Sequence, residues 1–451
     1  MQYYKPDGPY FVGDCMPFYH DGVFRLYYLL DENHHTSRGW LGNHQWAQAS
    51  SPDLVHWTHH GLTIPITADW EGSICTGSVF HHKGTYYAFY STRMADASQH
   101  VSLAVSSDGV NFSKTSPNPL ISPPAGYHTF SFRDPCVFRD DATGVFHMLV
   151  TSQRVGCGVP RYNGCLAHLS SADFKTWSFE EPFLFPGYCG QDPECPEHFY
   201  WNGWYYLLFG IDAMARYRMS RSPLGPWICP PVDVLEGTYA RVMKTAPYRD
   251  NRRIGVAFVA SREGGRDDGQ LMWAGNAVFR ELVQHADGTL GVKFVPEMMP
   301  IEGDPLAMRF SALTAGARGD GMAVVLDSSS AFEVAALDAV PNDARITMRV
   351  HPQVGARHFG LRLRGFGRYE TGYDLSFRPV ERTVELHNQS IACVEGLDRP
   401  FDLDIVMRGD IIDVCIDRRR CLVNRLGQLR GSRLFFFSHN GRVRFEGIET
   451  R

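Results

Sequence analysis

Four stretches of the chain repeat one pattern at near-constant spacing. They are Phe18 to Asp31 (FYHDGVFRLYYLLD), Phe80 to Ser91 (FHHKGTYYAFYS), Phe138 to Thr151 (FRDDATGVFHMLVT) and Phe199 to Gly210 (FYWNGWYYLLFG). Each joins aromatic residues, a small polar turn with Gly, and an alternating aromatic run, which reads as a β-hairpin. The turn glycines Gly22, Gly84, Gly144 and Gly203 are 62, 60 and 59 residues apart. A weaker fifth copy, Tyr248 to Ser261 (YRDNRRIGVAFVAS), has Asn251 and arginines in place of the Gly turn.

A second signature follows each of the first four hairpins: ASSPDLVHW ending at Trp57, AVSSDGVNF at Phe112, HLSSADFKTW at Trp177 and MSRSPLGPW at Trp227. A strand ends there in small polar residues, the chain turns, and an aromatic residue opens the next strand. About four strands per 50–60 residues, five times over, predict a five-bladed β-propeller. A β-sandwich whose hairpins resemble one another by chance is the alternative.

The propeller pattern ends near Pro300, giving an expected catalytic domain over 1–300, a linker over 301–308 and a second domain over 309–451. In that last part the strands shorten and still alternate (LRLRG, YDLSF, TVELH, DLDIVM), which predicts a β-sandwich. Helical periodicity is weak throughout, so the fold class is all-β.

Charge narrows the function classes. Lys and Arg total 44 against 49 Asp and Glu, a net charge of −5, and only Arg418–Arg420 form a basic run. No nucleic-acid footprint is present. No stretch nears the ~20 apolar residues that span a bilayer, so no membrane partner is expected. No charged and then apolar leader opens the chain, and 11 Cys are scattered without CxxC pairs. Both suggest reduced thiols and a cytoplasmic location. The 19 His form no HExxH-type spacing, so neither metal nor cofactor is expected.

A propeller brings the first strand of each blade to its central channel. Asp14 lies four residues before Phe18, Thr76 four before Phe80, Asp134 four before Phe138 and Glu194 five before Phe199. Three carboxylates from three blades thus hold nearly equivalent positions at one mouth. Glycosidic cleavage needs such a set: one carboxylate attacks or activates water, another protonates the leaving oxygen. Turn capping is the structural alternative for each acid. Near Glu194 the sequence QDPECPE leaves Asp192, Glu194 and Glu197 in competition, and spacing does not separate them. Arg133 beside Asp134 would keep that carboxylate ionised or bind a hydroxyl.

At these residues the chain resembles glycoside hydrolase family 32, which includes invertases, inulinases and levanases. Arg133-Asp134-Pro135 resembles its RDP motif, Glu194-Cys195-Pro196 its EC(P) motif and Thr76-Gly77-Ser78 its SGS segment. Trp46 to Trp57, Tyr239-Ala240, Phe279 to Glu297 and Ile416 to Asn424 resemble further segments, so the likeness spans most of the chain. It implies a retaining β-fructofuranosidase-type hydrolase acting on sucrose or short fructo-oligosaccharides. Asp14 would be the nucleophile, Glu194 the general acid/base and Asp134 the transition-state stabiliser. It also implies substrate contacts at Trp40, Trp46, Cys75, Thr76, Arg133, Cys195 and Tyr239.

The departures bear on the substrate. Asp14 sits in GDCMP rather than the family's NDPNG, Leu29 stands near the place of a Gln, and Cys75 near that of a Phe. Losing a hydroxyl partner changes discrimination strongly, so the reaction class is firmer than the sugar. The alternatives are an inverting arabinanase- or xylosidase-like propeller enzyme, a fructosyltransferase and a non-catalytic sugar-binding propeller. Blade 1 is His-rich (His34, His35, His44, His59, His60), which reads as solvated loop or as hydroxyl-binding pocket wall.

Overall fold

The computed structural model describes residues 2–32, 42–157, 162–187, 190–299, 304–328 and 331–451. Five antiparallel blades follow one another in chain order. Blade 1 comprises Tyr10–His20, Val23–Glu32, Gln45–Ser51 and Thr58–Ile64; blade 2 Glu71–His82, Thr85–Met94, Gln99–Ser106 and Ser113–Lys114. Blade 3 comprises Tyr127–Arg139, Phe146–Arg154, Gly164–Ser171 and Ser178–Phe179. Blade 4 has Glu194–Trp201, Trp204–Ile211 and Met214–Ser220, with a bridge from Met219 to Ile228 as its outer edge. Blade 5 is built on Ala240–Tyr248, Arg252–Arg262 and Leu271–Gln284.

The ring is closed by both chain ends of the propeller. Tyr4 O accepts from Ala277 N at 2.8 Å, and Gln2 Nε2 donates to Phe279 O at 3.0 Å. The N-terminal segment therefore runs along the last long strand of blade 5. This pairing ties the first residues of the propeller to its last blade across 277 residues of sequence, at the entropic cost of one large loop.

The repeated sequence signatures have clear local causes. In the hairpin turns, Asp21, Lys83 and Asn202 take left-handed φ of 49°, 49° and 45°, and each is followed by glycine. That is the primed turn which matches strand twist. In blade 5, Asp250 and Asn251 take φ of 56° and 57° instead, a conformation that short polar side chains tolerate. The second signature is a side-chain-capped turn. Asp53, Asp108 and Asp173 each accept the backbone N–H groups two and three residues ahead, at 2.8–2.9 Å. Trp57 and Trp177 then return an indole N–H to the carbonyls of Leu54 and Phe174.

Between blades, apolar faces stack. Met16, Tyr27, Trp46, Ile74 and Tyr90 form one such layer, and Phe89, Phe132, Met148 and Phe174 belong to the next. The ion pair of Glu71 and Lys114 lies within this packing. Glu71, its side chain fully buried, accepts from Lys114 Nζ at 2.6 Å and from the backbone of Thr67 and Ala68.

The C-terminal part is a β-sandwich around one large core that includes Phe359, Leu361, Phe377, Leu403, Phe436 and Phe445. Its two sheets share the 18-residue strand Arg433–Thr450. The first half of that strand pairs with Glu333–Asp338 and His358–Phe366, the second half with Ala323–Ser328 and Ala344–Pro352. By contact density the chain divides into two compact units. One comprises 1–235, 240–260 and 273–290, the other 236–239, 261–272 and 291–451. Residues 301–303 of the expected linker lie outside the described residues. No helix among the described residues is long and apolar enough to cross a membrane.

Removing Lys114 strands a buried carboxylate. Lys114→Ala is expected to cost about 3–5 kcal/mol, read as a lower urea midpoint at unchanged slope. A midpoint within error of the parent would show that the pair is not enclosed.

Candidate active site

In all five blades the first strand carries a β-bulge at the same place. Residues 13–14 face one residue, Leu29, of the neighbouring strand; 75–76 face Ser91; 134–135 face Val150; 195–196 face Phe209; 242–243 face Ala257. A bulge leaves one residue out of the ladder and re-aims its side chain. Asp134, Cys195 and Val242 adopt left-handed φ of 58°, 51° and 55° there. Such backbone is costly for residues with a Cβ, and it persists only where neighbours impose it.

The neighbours are the adjacent bulges. Thr76 Oγ1 donates to Asp14 Oδ2 at 2.5 Å. Asp134 N donates to Ser91 Oγ at 2.7 Å, and Cys195 N donates to Asp134 Oδ2 at 3.0 Å. Lys244 Nζ donates to Gly77 O and Pro196 O at 3.0 and 3.1 Å. Lys244 lies four residues before Tyr248, the offset that marks Asp14, Thr76 and Asp134, so the fifth repeat already pointed to it.

These strands enclose a cavity of about 270 Å³. Asp14, Cys75, Thr76, Arg133, Asp134, Glu194 and Cys195 line it together, although they come from four blades. Leu29, His44, Arg93, Ala213, Arg241, Val242, Phe258 and Trp273 complete the wall. Trp273 lies against Gly13, where a Cβ would stand 2.2 Å from the indole, so the residue before Asp14 must be glycine. His44 and Phe258 pack on Trp273 with centroids at 4.4 and 5.9 Å.

The three blade 4 acids differ in their partners. Glu197 accepts from Thr245 N and Oγ1 and from Arg253 Nη2, each at 2.6 Å, and is buried in blade packing. Asp192 accepts from Ser131 Oγ, Gln153 Nε2 and Arg133 Nη2. Glu194 shares Arg133 Nη2 at 2.9 Å, and its side chain remains 49% exposed. It alone of the three lines the cavity.

Two predicted contacts lie elsewhere. Trp46 has no exposed surface, and its indole donates to Cys75 O at 2.8 Å. It supports the cavity wall from the core and is not among the residues that line the cavity. Tyr239 belongs to the second compact unit, where its phenol accepts from Arg262 Nη2 at 3.1 Å. Trp40, His34 and His35 lie outside the described residues. His59 stacks on Tyr4, and His60 Nε2 is 2.8 Å from Ser50 Oγ.

The electrostatics differ from acid to acid. Burial pushes the Asp14 carboxyl up to about 7; Thr76 pulls it back, Asp134 and Glu194 add to the rise, and Lys244 opposes it. Asp14 Oδ1 is shielded and accepts no hydrogen bond among the described residues. Burial also raises Glu194, with Arg133 opposing and Asp134 reinforcing. Three carboxylates keep Arg133 protonated despite its burial. The Cys195 sulfur lies 3.4 Å from Asp134 Oδ2 and 3.8 Å from Asp14 Oδ2. Burial, then those two charges, hold it as a thiol.

Asp14 thus weakens the fold in order to be present. Its raised carboxyl favours folding only while protonated, so that contribution is lost as pH rises from the unfolded value of 3.8 through about 7. Asp14→Asn is expected to raise the melting temperature at pH 8 by roughly 3–8 °C, with the gain fading toward pH 4. Equal gains at both pH values would contradict the buried carboxylate.

The fold and part of the sequence match known proteins. The profile of the glycosyl hydrolases family 32 N-terminal domain matches residues 14–223. A levanbiose-producing levanase of Bacillus subtilis (strain 168) is 29% identical over 222 residues, 47% of this chain and 38% of that protein. A sucrose-6-phosphate hydrolase of Escherichia coli is 27% identical over 58% of each. The chain therefore spans well under two thirds of the length of these relatives. The crystal structure of fructan 1-exohydrolase IIa from Cichorium intybus shares the fold, with a TM-score of 0.78 at 18% identity over 99% of this chain and 96% of that one. Residues 14–223 thus match the glycosyl hydrolases family 32 N-terminal domain, and the chain as a whole shares the fold of that exohydrolase.

Proposed function

We propose that the chain is a retaining β-fructofuranoside hydrolase acting on sucrose or short fructo-oligosaccharides. The observation that carries this reading is the meeting of Asp14, Asp134 and Glu194 in one cavity, each delivered by a bulge or its edge. The names of the levanase and sucrose-6-phosphate hydrolase relatives support it.

Each carboxylate has surroundings suited to one role. Asp14 is anchored through Oδ2 by Thr76, and Oδ1 is left to attack the anomeric carbon. Glu194, raised by burial and open to the cavity mouth, donates a proton to the leaving oxygen and later takes one from water. Asp134 is held by Cys195 N with Arg133 Nε at 3.7 Å, and as a buried charge it stabilises the oxocarbenium-like transition state. Trp273 offers an apolar face to the ring beside Asp14.

Asp14→Ala is expected to abolish fructose release from sucrose and from short inulin and levan oligosaccharides while the chain stays folded. Release at the parental rate overturns the assignment. With an activated aryl fructofuranoside, which needs little protonation, Glu194→Gln should leave one titration. The rate should rise with pH through a single constant near or just below 7, that of Asp14, because a like charge has been removed. A bell-shaped profile in this variant would place the acid elsewhere.

A further inference from the structure

We propose that Asp192 is a positioning residue for cleavage: by taking one arm of Arg133, it keeps Glu194 a proton donor. This rests on the fructofuranosidase reading above and names what governs its acid.

Arg133, on the first strand of blade 3, stands between two carboxylates of one short segment. Its Nη2 lies 2.9 Å from Asp192 Oδ2 and 2.9 Å from Glu194 Oε1. Nη1 donates to Ser131 Oγ at 2.9 Å, and Nε lies 3.7 Å from Asp134 Oδ2. A guanidinium can grip one carboxylate with two parallel N–H bonds. Here the fork is divided, and Glu194 receives one arm through one nitrogen.

Asp192 is fixed in this place from blade 3. Its Oδ2 also accepts from Ser131 Oγ at 2.8 Å, and Oδ1 accepts from Gln153 Nε2 at 2.6 Å. Gln153 Oε1 in turn accepts from Asn163 Nδ2 at 3.2 Å. Thr151 Oγ1 donates to Pro193 O at 2.9 Å, which pins the backbone between the two acids. The Asp192 side chain is 13% exposed against 49% for Glu194, and it does not line the cavity. Asp192 therefore acts on the reaction through Arg133, not by touching the sugar.

The charges around Glu194 make that division matter. Arg133 and Asp134 face it from blade 3, Asp192 and the Cys195 thiol flank it on its own segment, and Asp14 faces it from blade 1. Arg93 and Arg241 line the same cavity. Burial pushes the Glu194 carboxyl up, Arg133 opposes, and Asp134 and then Asp192 reinforce the rise. With a neutral side chain at position 192, that charge is lost and Arg133 can turn both arms to Glu194. Both changes favour the ionised form of Glu194. In cleavage the bond from the anomeric carbon to the leaving oxygen breaks, and its electron pair goes to that oxygen. Asp14 Oδ1 forms the new bond, and the Glu194 proton passes to the leaving oxygen. An ionised Glu194 has no proton to give.

The test is the pH dependence of kcat/KM for Asp192→Asn, which keeps the shape and removes the charge. Sucrose or a short fructo-oligosaccharide, whichever the parent chain cleaves, is compared with an activated aryl fructofuranoside. On the sugar substrate the variant should match the parent at the acid end of the profile, where Glu194 is protonated in both. At the alkaline end it should lose at least ~3-fold, because less Glu194 still holds its proton. On the aryl substrate it should stay within about 2-fold throughout, since that leaving group needs little protonation. A loss of one size at every pH, or the same loss on both substrates, marks a merely structural residue and overturns the proposal. So does a profile identical to that of the parent. Should Asp192→Asn not fold, Asp192→Ser is read in the same way, and failure of both to fold overturns the proposal too. Asp14-dependent release of fructose with no alkaline loss in the variant removes only this inference. A chain that cleaves no fructofuranoside removes the underlying reading as well.

Discussion

The β-bulge in the first strand of every blade is the constraint on which the site depends. Without it, period-two alternation would send half of each strand's side chains into the sheet stacking and leave the backbone fully paired. Two residues facing one, repeated five times around a channel, free Asp14, Thr76, Asp134, Cys195 and Val242 from that alternation. The freed groups then bond across blades, Thr76 to Asp14 and Cys195 to Asp134, with Lys244 reaching two neighbouring backbones. Backbone strain at Asp134 and Cys195 is held in place by these cross-blade bonds, and the stacked aromatic layers behind them keep the blades from relaxing apart.

This arrangement has an electrostatic consequence. Three carboxylates share a small cavity, where the Lys244 charge acts on Asp14 and the Arg133 charge on Glu194. The protein does not neutralise the set. It divides it: Arg133 ties Asp192 and Glu194 together on one side, while Asp14 keeps one oxygen uncommitted on the other. Two acids in different surroundings are what separates a nucleophile from a proton donor. The buried carboxyl at Asp14 lowers stability, a cost that natural sites commonly carry.

Much of this was legible in the sequence because repeats turn position into geometry. The hairpin pattern and the capped turns have local causes, primed turns and Asp side-chain caps, so they show as local signatures. The offset before each repeat marked Asp14, Thr76 and Asp134, and Glu194 one residue further. Spacing did not separate Glu194 from Asp192 and Glu197, although the resemblance at Glu194-Cys195-Pro196 pointed to Glu194, because the partners that distinguish their surroundings, Ser131, Arg133, Thr245 and Arg253, lie 48 to 61 residues away. Trp46 was misread for a related reason. A tryptophan near a motif shows no sign of which face of its strand it occupies, and this one faces the core. Arg93, Phe258 and Trp273 carry no repeat signature, since they enter the cavity from second and third strands only once the ring is closed.

The central claim is that Asp14 forms a covalent bond with the sugar. The most direct measurement is peptide mass mapping of the Glu194→Gln chain after reaction with an activated aryl fructofuranoside, conditions in which formation of a glycosyl-enzyme outpaces its hydrolysis. The account predicts one hexosyl increment on the peptide that contains Asp14, absent in the Asp14→Asn, Glu194→Gln double variant. An unmodified Asp14 peptide during continued aryl release, or an adduct on another carboxylate, would contradict it.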